Sequence, residues 1–205
     1  FWKLVSDVDS WNEGPKTYHR VPKAVFFGEI YANQYVIDST NEFAARISQI
    51  EDEFIVLLDI GRQRLEDTEA WGIQPFNVYQ GMAMHALLDP ALDLNLLIGA
   101  AGSGKTILSL ACALELVVEQ KRYSKIVVTR STPPVAEDIG FLPGTMEEKM
   151  LPWLMPIQDN LKFLMGDRTS LEMYMEKGKI EIEALTYIRG RSISNAFIVI
   201  DEAQN

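Results

Sequence analysis

The chain has 205 residues, 47% hydrophobic and 23% charged, an ordinary globular composition that excludes wholesale disorder. Its 19 Lys and Arg against 29 Asp and Glu give a net charge of −10, divided as 7 basic and 13 acidic residues up to Gly72 and 12 and 16 beyond it. Neither part offers the basic face of a protein that wraps nucleic acid unaided. One cysteine, Cys112, excludes an intrachain disulfide and fits a reducing cytoplasm. No apolar run reaches the ~20 residues of a membrane span, so no membrane partner is expected.

The segment before Lys23 is polar and Trp-containing, and reads as a linker or as part of an upstream element. KAVFFGEIYA and NQYVIDS read as two strands, turning near Asn33 and Gln34. Ser39-Thr40-Asn41-Glu42 then opens a short helix through Gln49, with Thr40 as N-cap. EFIVLLDI (53–60) is a third strand, followed by a charged stretch to Glu69. Residues 1–70 thus form a small α+β or β-rich domain or linker. Gly72 and Pro75 place a boundary near 70–76, and residues 71–205 form the second domain.

That domain starts with a helix from about Asn77 to Leu88, stopped by Asp89-Pro90. A strand (94–100), a helix (105–120) and a strand (125–130) follow. Three prolines and two glycines make 131–145 a loop, and 147–165 is helical in pattern but interrupted by Pro152 and Pro156. A helix (about 169–177), a strand (180–185), a polar loop (187–195) and a closing strand (197–201) complete the chain. Short apolar strands alternating with helices specify an α/β fold, a parallel sheet flanked by helices with right-handed crossovers.

The segment IGAAGSGKT contains Gly99-x-x-x-x-Gly104-Lys105-Thr106 between a predicted strand and a predicted helix. That context marks a phosphate-binding loop. Gly99, Ala100, Ala101, Gly102, Ser103 and Gly104 would turn backbone N–H groups onto phosphate oxygens at a helix N-terminus. Lys105 would reach the β- and γ-phosphates, and the Thr106 hydroxyl would ligate Mg²⁺. An apolar strand ending in an acid is common by itself. Following such a loop, FIVID-Glu gains meaning: Asp201 would hold Mg²⁺ through its water shell and Glu202 would polarise the attacking water. The second acid points to hydrolysis, since a small-molecule kinase has less need of a carboxylate for water.

The segments WGIQPFNVYQ, IGAAGSGKT, GFLPGTMEEKMLPWLMPIQDNL, YIRGR and VIDEAQN, in that order, resemble the PhoH family of ATPases. They are closest to PhoH-like proteins that carry an N-terminal PIN nuclease domain. The resemblance covers residues 71–205 well and 1–70 loosely. It implies a phosphate-loop NTPase with a RecA-like, helicase-like core, and ATP hydrolysis coupled to remodelling or unwinding of single-stranded RNA or DNA. In that comparison Gln80 matches the glutamine that reads adenine, an amide able to pair with adenine N6 and N7; a solvated helix residue is the other reading. Gln204 would couple the γ-phosphate to the nucleic-acid site, or is a plain strand-end residue. Three positions depart from the family pattern: Phe76 for the usual Arg, Ser131 after Thr129-Arg130, and Ala136 for a glycine. The resemblance further implies that the sequence is a fragment cut just after its second acidic motif, with the sheet incomplete at the C-terminus, that the intact parent assembles as a homo-oligomeric ring, and that any PIN domain lies upstream of Phe1.

Arg189 and Arg191 flank Gly190 before the closing strand. They fit contacts to RNA backbone or to a neighbouring subunit's nucleotide, and equally fit solvent exposure or structural carboxylate pairing. Arg130 sits at the C-terminal edge of its strand, where open α/β sheets bind ligands, and is expected to meet nucleic acid or the γ-phosphate. Phe141, Trp153 and the methionines of 146–165 read as core or subunit interface. His19 and His85 lack ligand partners at zinc spacing, so no zinc site is expected. The rival function is a phosphotransferase or NTP-operated switch without a nucleic-acid partner, which the acidic charge favours and Gln204 after the acidic pair disfavours.

Overall fold

The computed structural model describes residues 8–37, 43–130, 146–188 and 190–204. The chain divides into two compact units, Phe1–Thr68 with Gln74–His85, and Glu69–Ile73 with Ala86–Asn205.

The first unit is a five-stranded antiparallel sheet of β1 (Asp9–Glu13), β2 (Lys16–Pro22), β3 (Tyr35–Ile37), β4 (Ala44–Ile50) and β5 (Phe54–Asp59), in the order β1-β2-β5-β4-β3. Both faces of β5 are covered. Ile55 and Leu57 pack with Val21, Ala45 and Ile47 on one side. Leu58 joins Ala44, Ile60, Leu65 and Val78 on the other. Leu65 comes from α1 (Arg62–Glu66) and Val78 opens α2 (Val78–Leu88).

Three expectations fail here. The polar segment before Lys23 is not a linker: it supplies the whole of β1 and β2, joined through Gly14 at φ +60° and buttressed by stacked Trp11 and Tyr18 rings 5.6 Å apart. KAVFFGEIYA is not a strand. Lys23–Val25 form a single 3₁₀ turn and Phe27 is exposed. Residues 44–50 are a strand, not a helix, because Ile47 pairs opposite Leu57 and the first four residues of β4 are buried. That non-local pairing overrides the helical preference of Ala-Ala-Arg. Thr40 lies outside the described residues.

In the second unit, α3 (Lys105–Leu114) continues as a π-helical turn over Glu115–Glu119. Then come β6 (Lys125–Arg130), α4 (Met146–Met165), α5 (Arg168–Glu176), β7 (Ile180–Ala184), α6 (Leu185–Ile188) and β8 (Ala196–Asp201). The strands form a parallel sheet in the order β7-β6-β8. Leu110, Leu114, Ile126, Val128, Ile157, Leu161 and Ile180 fill its core. Trp71 packs against that core; its indole Nε1 donates to Leu164 O at 2.8 Å and its backbone N–H donates to the Glu115 carboxylate at 3.3 Å.

Two expectations change. Residues 94–100 form no strand, and Leu94, Leu96 and Ile98 are exposed. Among the described residues β8 pairs only with β6, and an apolar stretch becomes a strand only where a neighbouring strand bonds it. α4 runs through Pro152 and Pro156 without interruption. Burial of Leu154, Ile157 and Leu161 holds it across the bonds the prolines cannot make. The loop at 131–145, with Ser131, Ala136 and Phe141, lies outside the described residues, as does the Trp153 side chain.

Gly81 in α2 lies hard against α1: a Cβ there would sit 2.2 Å from the Leu65 carbonyl oxygen. Gly81→Ala is therefore expected to destabilise the chain by about 1–3 kcal/mol through overpacking, although Ala favours a helix by ~1 kcal/mol. Urea denaturation measures it, and a variant as stable as the parent would show that this contact yields.

Candidate nucleotide site

The loop before α3 has the backbone its glycines permit. Gly102 (φ +77°) and Gly104 (φ +88°) are left-handed, a region that costs a side-chain-bearing residue roughly 1 kcal/mol. Gly104 caps α3, so the loop opens directly onto a helix N-terminus. Gly99, Ala100, Ala101, Gly102 and Ser103 are exposed, and Ser103 N–H closes the turn onto Ala100 O at 3.3 Å. At Gly99 a Cβ would lie 3.1 Å from Ser103 Oγ, so a side chain there crowds the turn. Lys105 folds back: Nζ donates to Gly99 O at 2.8 Å and Ala100 O at 2.9 Å. Its ammonium thus stands over the loop mouth on bonds that an incoming phosphate can replace.

The next residue reaches the sheet. Thr106 Oγ1 donates to Asp201 Oδ1 at 2.9 Å, joining the first turn of α3 to the C-terminal end of β8. Asp201 stands opposite Arg130 in the β6–β8 register. Arg130 Nε lies 3.7 Å from Asp201 Oδ2, and Nη2 lies 3.7 Å from Glu202 Oε1. Glu202 has φ +53°, a left-handed conformation that is strained for a non-glycine residue. The Gln204 amide donates to Glu202 Oε2. Thus Lys105, Thr106, Asp201, Glu202, Gln204 and Arg130 come together around one sheet edge.

The remaining candidates have partners of their own or lie outside the described residues. Gln80 belongs to the first unit and takes part in the start of α2. Its Oε1 accepts from Phe76 N–H at 2.7 Å, and its own N–H donates to Asn77 Oδ1 at 3.0 Å. This is a helix-capping arrangement. Arg191 is held by carboxylates of β7, Nη1 on Glu183 and Nη2 on Glu181 at 3.1 Å, while Lys125 Nζ binds the other Glu181 oxygen at 2.6 Å. Arg189 lies outside the described residues. His19 meets Ser10 and Asp59, and His85 meets Tyr35. Burial, with a lesser push from Glu115, drives the Cys112 thiol up to about 12, so it stays protonated and inert. No helix among the described residues is long and apolar enough to cross a membrane.

The donor set fits Mg²⁺ and a nucleotide. A hydroxyl and a carboxylate are hard oxygen ligands already within bonding reach of each other, and Mg²⁺ needs few protein ligands because it keeps several waters. The sequence had singled out each of these residues. What it lacked was the convergence of both acids on Arg130, and the signal for that was available: Arg130 and Asp201 each end an apolar strand, and strand ends in a parallel sheet lie side by side.

A glycine turn that opens a helix, tied by its Thr to the acid ending a nearby parallel strand, belongs to the phosphate-loop class of α/β proteins. Comparison with known proteins narrows this. The profile of the family described as PhoH-like protein matches residues 72–205, and the chain belongs to that family of phosphate-loop NTPases. It is 50% identical over 143 residues to Protein PhoH2 of Bacillus subtilis (strain 168), covering 68% of this chain and 32% of that protein. It is 38% identical over 140 residues to Protein PhoH2 of Mycolicibacterium smegmatis (68% and 32%). A PhoH-like protein of Synechocystis is 39% identical over 114 residues (55% and 34%). The chain spans about a third of the length of these curated relatives.

The salt-bridge ladder on β7 carries a pH prediction. Hydrogen bonding from Lys125 first, then from Arg191, holds Glu181 below the usual Glu range against some desolvation. A carboxylate with a depressed folded pKa stabilises the fold above its unfolded value of about 4.3, and the contribution disappears as pH falls through the folded value. Glu181→Gln is expected to cost about 1 kcal/mol at pH 7 and progressively less below about pH 4.3. Thermal midpoints of both proteins from pH 7 down to 3 test this; a deficit independent of pH would assign the loss to packing.

Proposed function

We propose that the chain binds ATP with Mg²⁺ and hydrolyses it within a RecA-like, helicase-like core formed by residues 71–205. We further propose that turnover is coupled to remodelling or unwinding of single-stranded RNA or DNA, in an intact protein that works as a homo-oligomeric ring in the cytoplasm. The observation that carries the catalytic part is the Thr106–Asp201 hydrogen bond, with Glu202 the next residue. Two residues able to share a metal lie at the mouth of a phosphate loop, and a second carboxylate stands beside them.

Each side chain then has a task. The N–H groups from Gly99 to Thr106 bind phosphate oxygens, helped by the partial positive charge of the α3 N-terminus. Lys105 exchanges its two loop carbonyls for β- and γ-phosphate oxygens. Thr106 and Asp201 would hold Mg²⁺, which would supply charge neutralisation on the phosphates. Glu202 orients a water in line with the γ-phosphate and takes its proton as the water oxygen bonds to phosphorus, while the bond from that phosphorus to the β,γ-bridging oxygen breaks and ADP leaves with the electron pair. Gln204 holds the far oxygen of Glu202, and so offers a route by which a bound strand alters the water-orienting group. For Gln80 to read adenine, its amide would have to leave the Phe76 N–H.

Family membership supports nucleotide turnover. The net charge of −10 favours the rival reading, a phosphotransferase or NTP-operated switch. Phosphate release by the intact protein, with and without single-stranded RNA or DNA at two salt concentrations, separates the two. Salt-sensitive stimulation is expected, because backbone contacts release counterions. Turnover indifferent to both nucleic acids would favour the rival. Lys105→Ala is expected to abolish nucleotide binding or turnover. Glu202→Gln should leave ATP binding within about threefold and lower kcat by about 10²–10⁴-fold. Normal hydrolysis by Glu202→Gln would assign the base elsewhere.

A further inference from the structure

We propose that Arg130 is a positioning residue: it clamps Asp201 and Glu202 together from β6 and so holds Glu202 in its water-orienting place. The inference rests on the hydrolytic reading above and deepens it. The two carboxylates are consecutive at the end of β8, and were the strand to continue through Glu202 their side chains would point to opposite faces. Here both approach one guanidinium, Asp201 Oδ2 at Nε and Glu202 Oε1 at Nη2, each at 3.7 Å. The alternation is broken at Glu202, whose φ of +53° turns the chain at the end of β8. A left-handed backbone at a Glu persists only where its surroundings over-determine it. The surroundings supply two holds on that side chain, Arg130 on one oxygen and Gln204 on the other.

The division of oxygens is regular. Asp201 gives Oδ1 to Thr106 and turns Oδ2 to Arg130. Glu202 gives Oε2 to Gln204 and turns Oε1 to Arg130. Arg130 is therefore the one basic side chain, among the described residues, within ion-pair distance of both acids. It needs little freedom to reach them, since it stands directly opposite Asp201 in the parallel register and its side chain is 22% exposed. A planar guanidinium spans two carboxylates and a lysine ammonium does not. At 3.7 Å the contacts are longer than direct hydrogen bonds, so Arg130 acts here as a charge set between two acids. That charge also offsets the repulsion of two adjacent carboxylates. Contact with nucleic acid or the γ-phosphate, the role expected of this arginine from its strand-end position, is not required by this geometry.

The test is Arg130→Gln and Arg130→Lys in the intact protein. Measurements are kcat and KM for ATP, equilibrium affinities for ADP and a non-hydrolysable ATP analogue with and without Mg²⁺, and thermal midpoints. Arg130→Gln is expected to lower kcat by about 10–100-fold, a large part of a general base's contribution, with both affinities within about threefold and a KM that follows them. Arg130→Lys keeps the charge but not the fork, and should recover only part of the loss. In the Glu202→Gln background Arg130→Gln should lower the residual rate by no more than about threefold, because residues that act as a unit are not additive. Four results would overturn the proposal: an unchanged kcat; selective loss of affinity for the triphosphate analogue, which would make Arg130 a γ-phosphate contact; a full multiplicative loss in the double variant; or equal kcat losses in both variants tracking a lower midpoint. If the unsubstituted protein does not turn over ATP, the hydrolytic reading fails and this inference with it. If Glu202→Gln is inactive while Arg130→Gln is not, this inference alone fails.

Discussion

The hydrogen bond from Thr106 Oγ1 to Asp201 Oδ1 at 2.9 Å joins the two halves of the nucleotide site. It spans 95 residues of sequence and ties the first turn of α3 to the last residue of β8. The rest of the site follows from keeping that bond. β8 must lie alongside β6, which sets Arg130 opposite Asp201. α3 must pack on the sheet through Leu110 and Leu114, which fixes where the glycine turn opens. The chain must then bend at Glu202, which turns the second acid toward the arginine that holds the first.

The second unit was more legible in the sequence than the first, for a physical reason. Its buried parallel strands read as short unbroken apolar runs, and KIVVTR and FIVID emerge as β6 and β8 almost residue for residue. The phosphate loop is legible because its chemistry is local: glycines, a lysine and a threonine act through a few consecutive residues. The first unit depends on pairings distant in sequence. β1 is exposed along its length and its residues are polar, so no apolar pattern announces it. β4 looks helical until Ile47 is set against Leu57. The strand expected at 94–100 is the converse case, in which the pattern is present and the pairing is not.

At the candidate site the sequence supplied identities and the fold supplied relations. Arg191 is a case where relation decides meaning: an arginine in a polar loop suits nucleic acid, but this one is gripped by Glu181 and Glu183. Gln80 is similar, since its carbonyl serves the helix start. Arg130, expected from its strand-end position to meet nucleic acid or the γ-phosphate, stands instead beside both acids.

Leu94, Leu96 and Ile98 are exposed in alternation, and Ile198 and Ile200 are exposed along β8. Among the described residues β8 has one unpaired edge, and such an edge together with exposed apolar side chains invites another strand to add on, which makes self-association the hazard when the chain is handled alone. Expression of these 205 residues by themselves is therefore best attempted with charged replacements at 94 and 96. Leu94 and Leu96 precede Gly99, the first residue of the phosphate loop, so solubility can be engineered without replacing the residues assigned to chemistry.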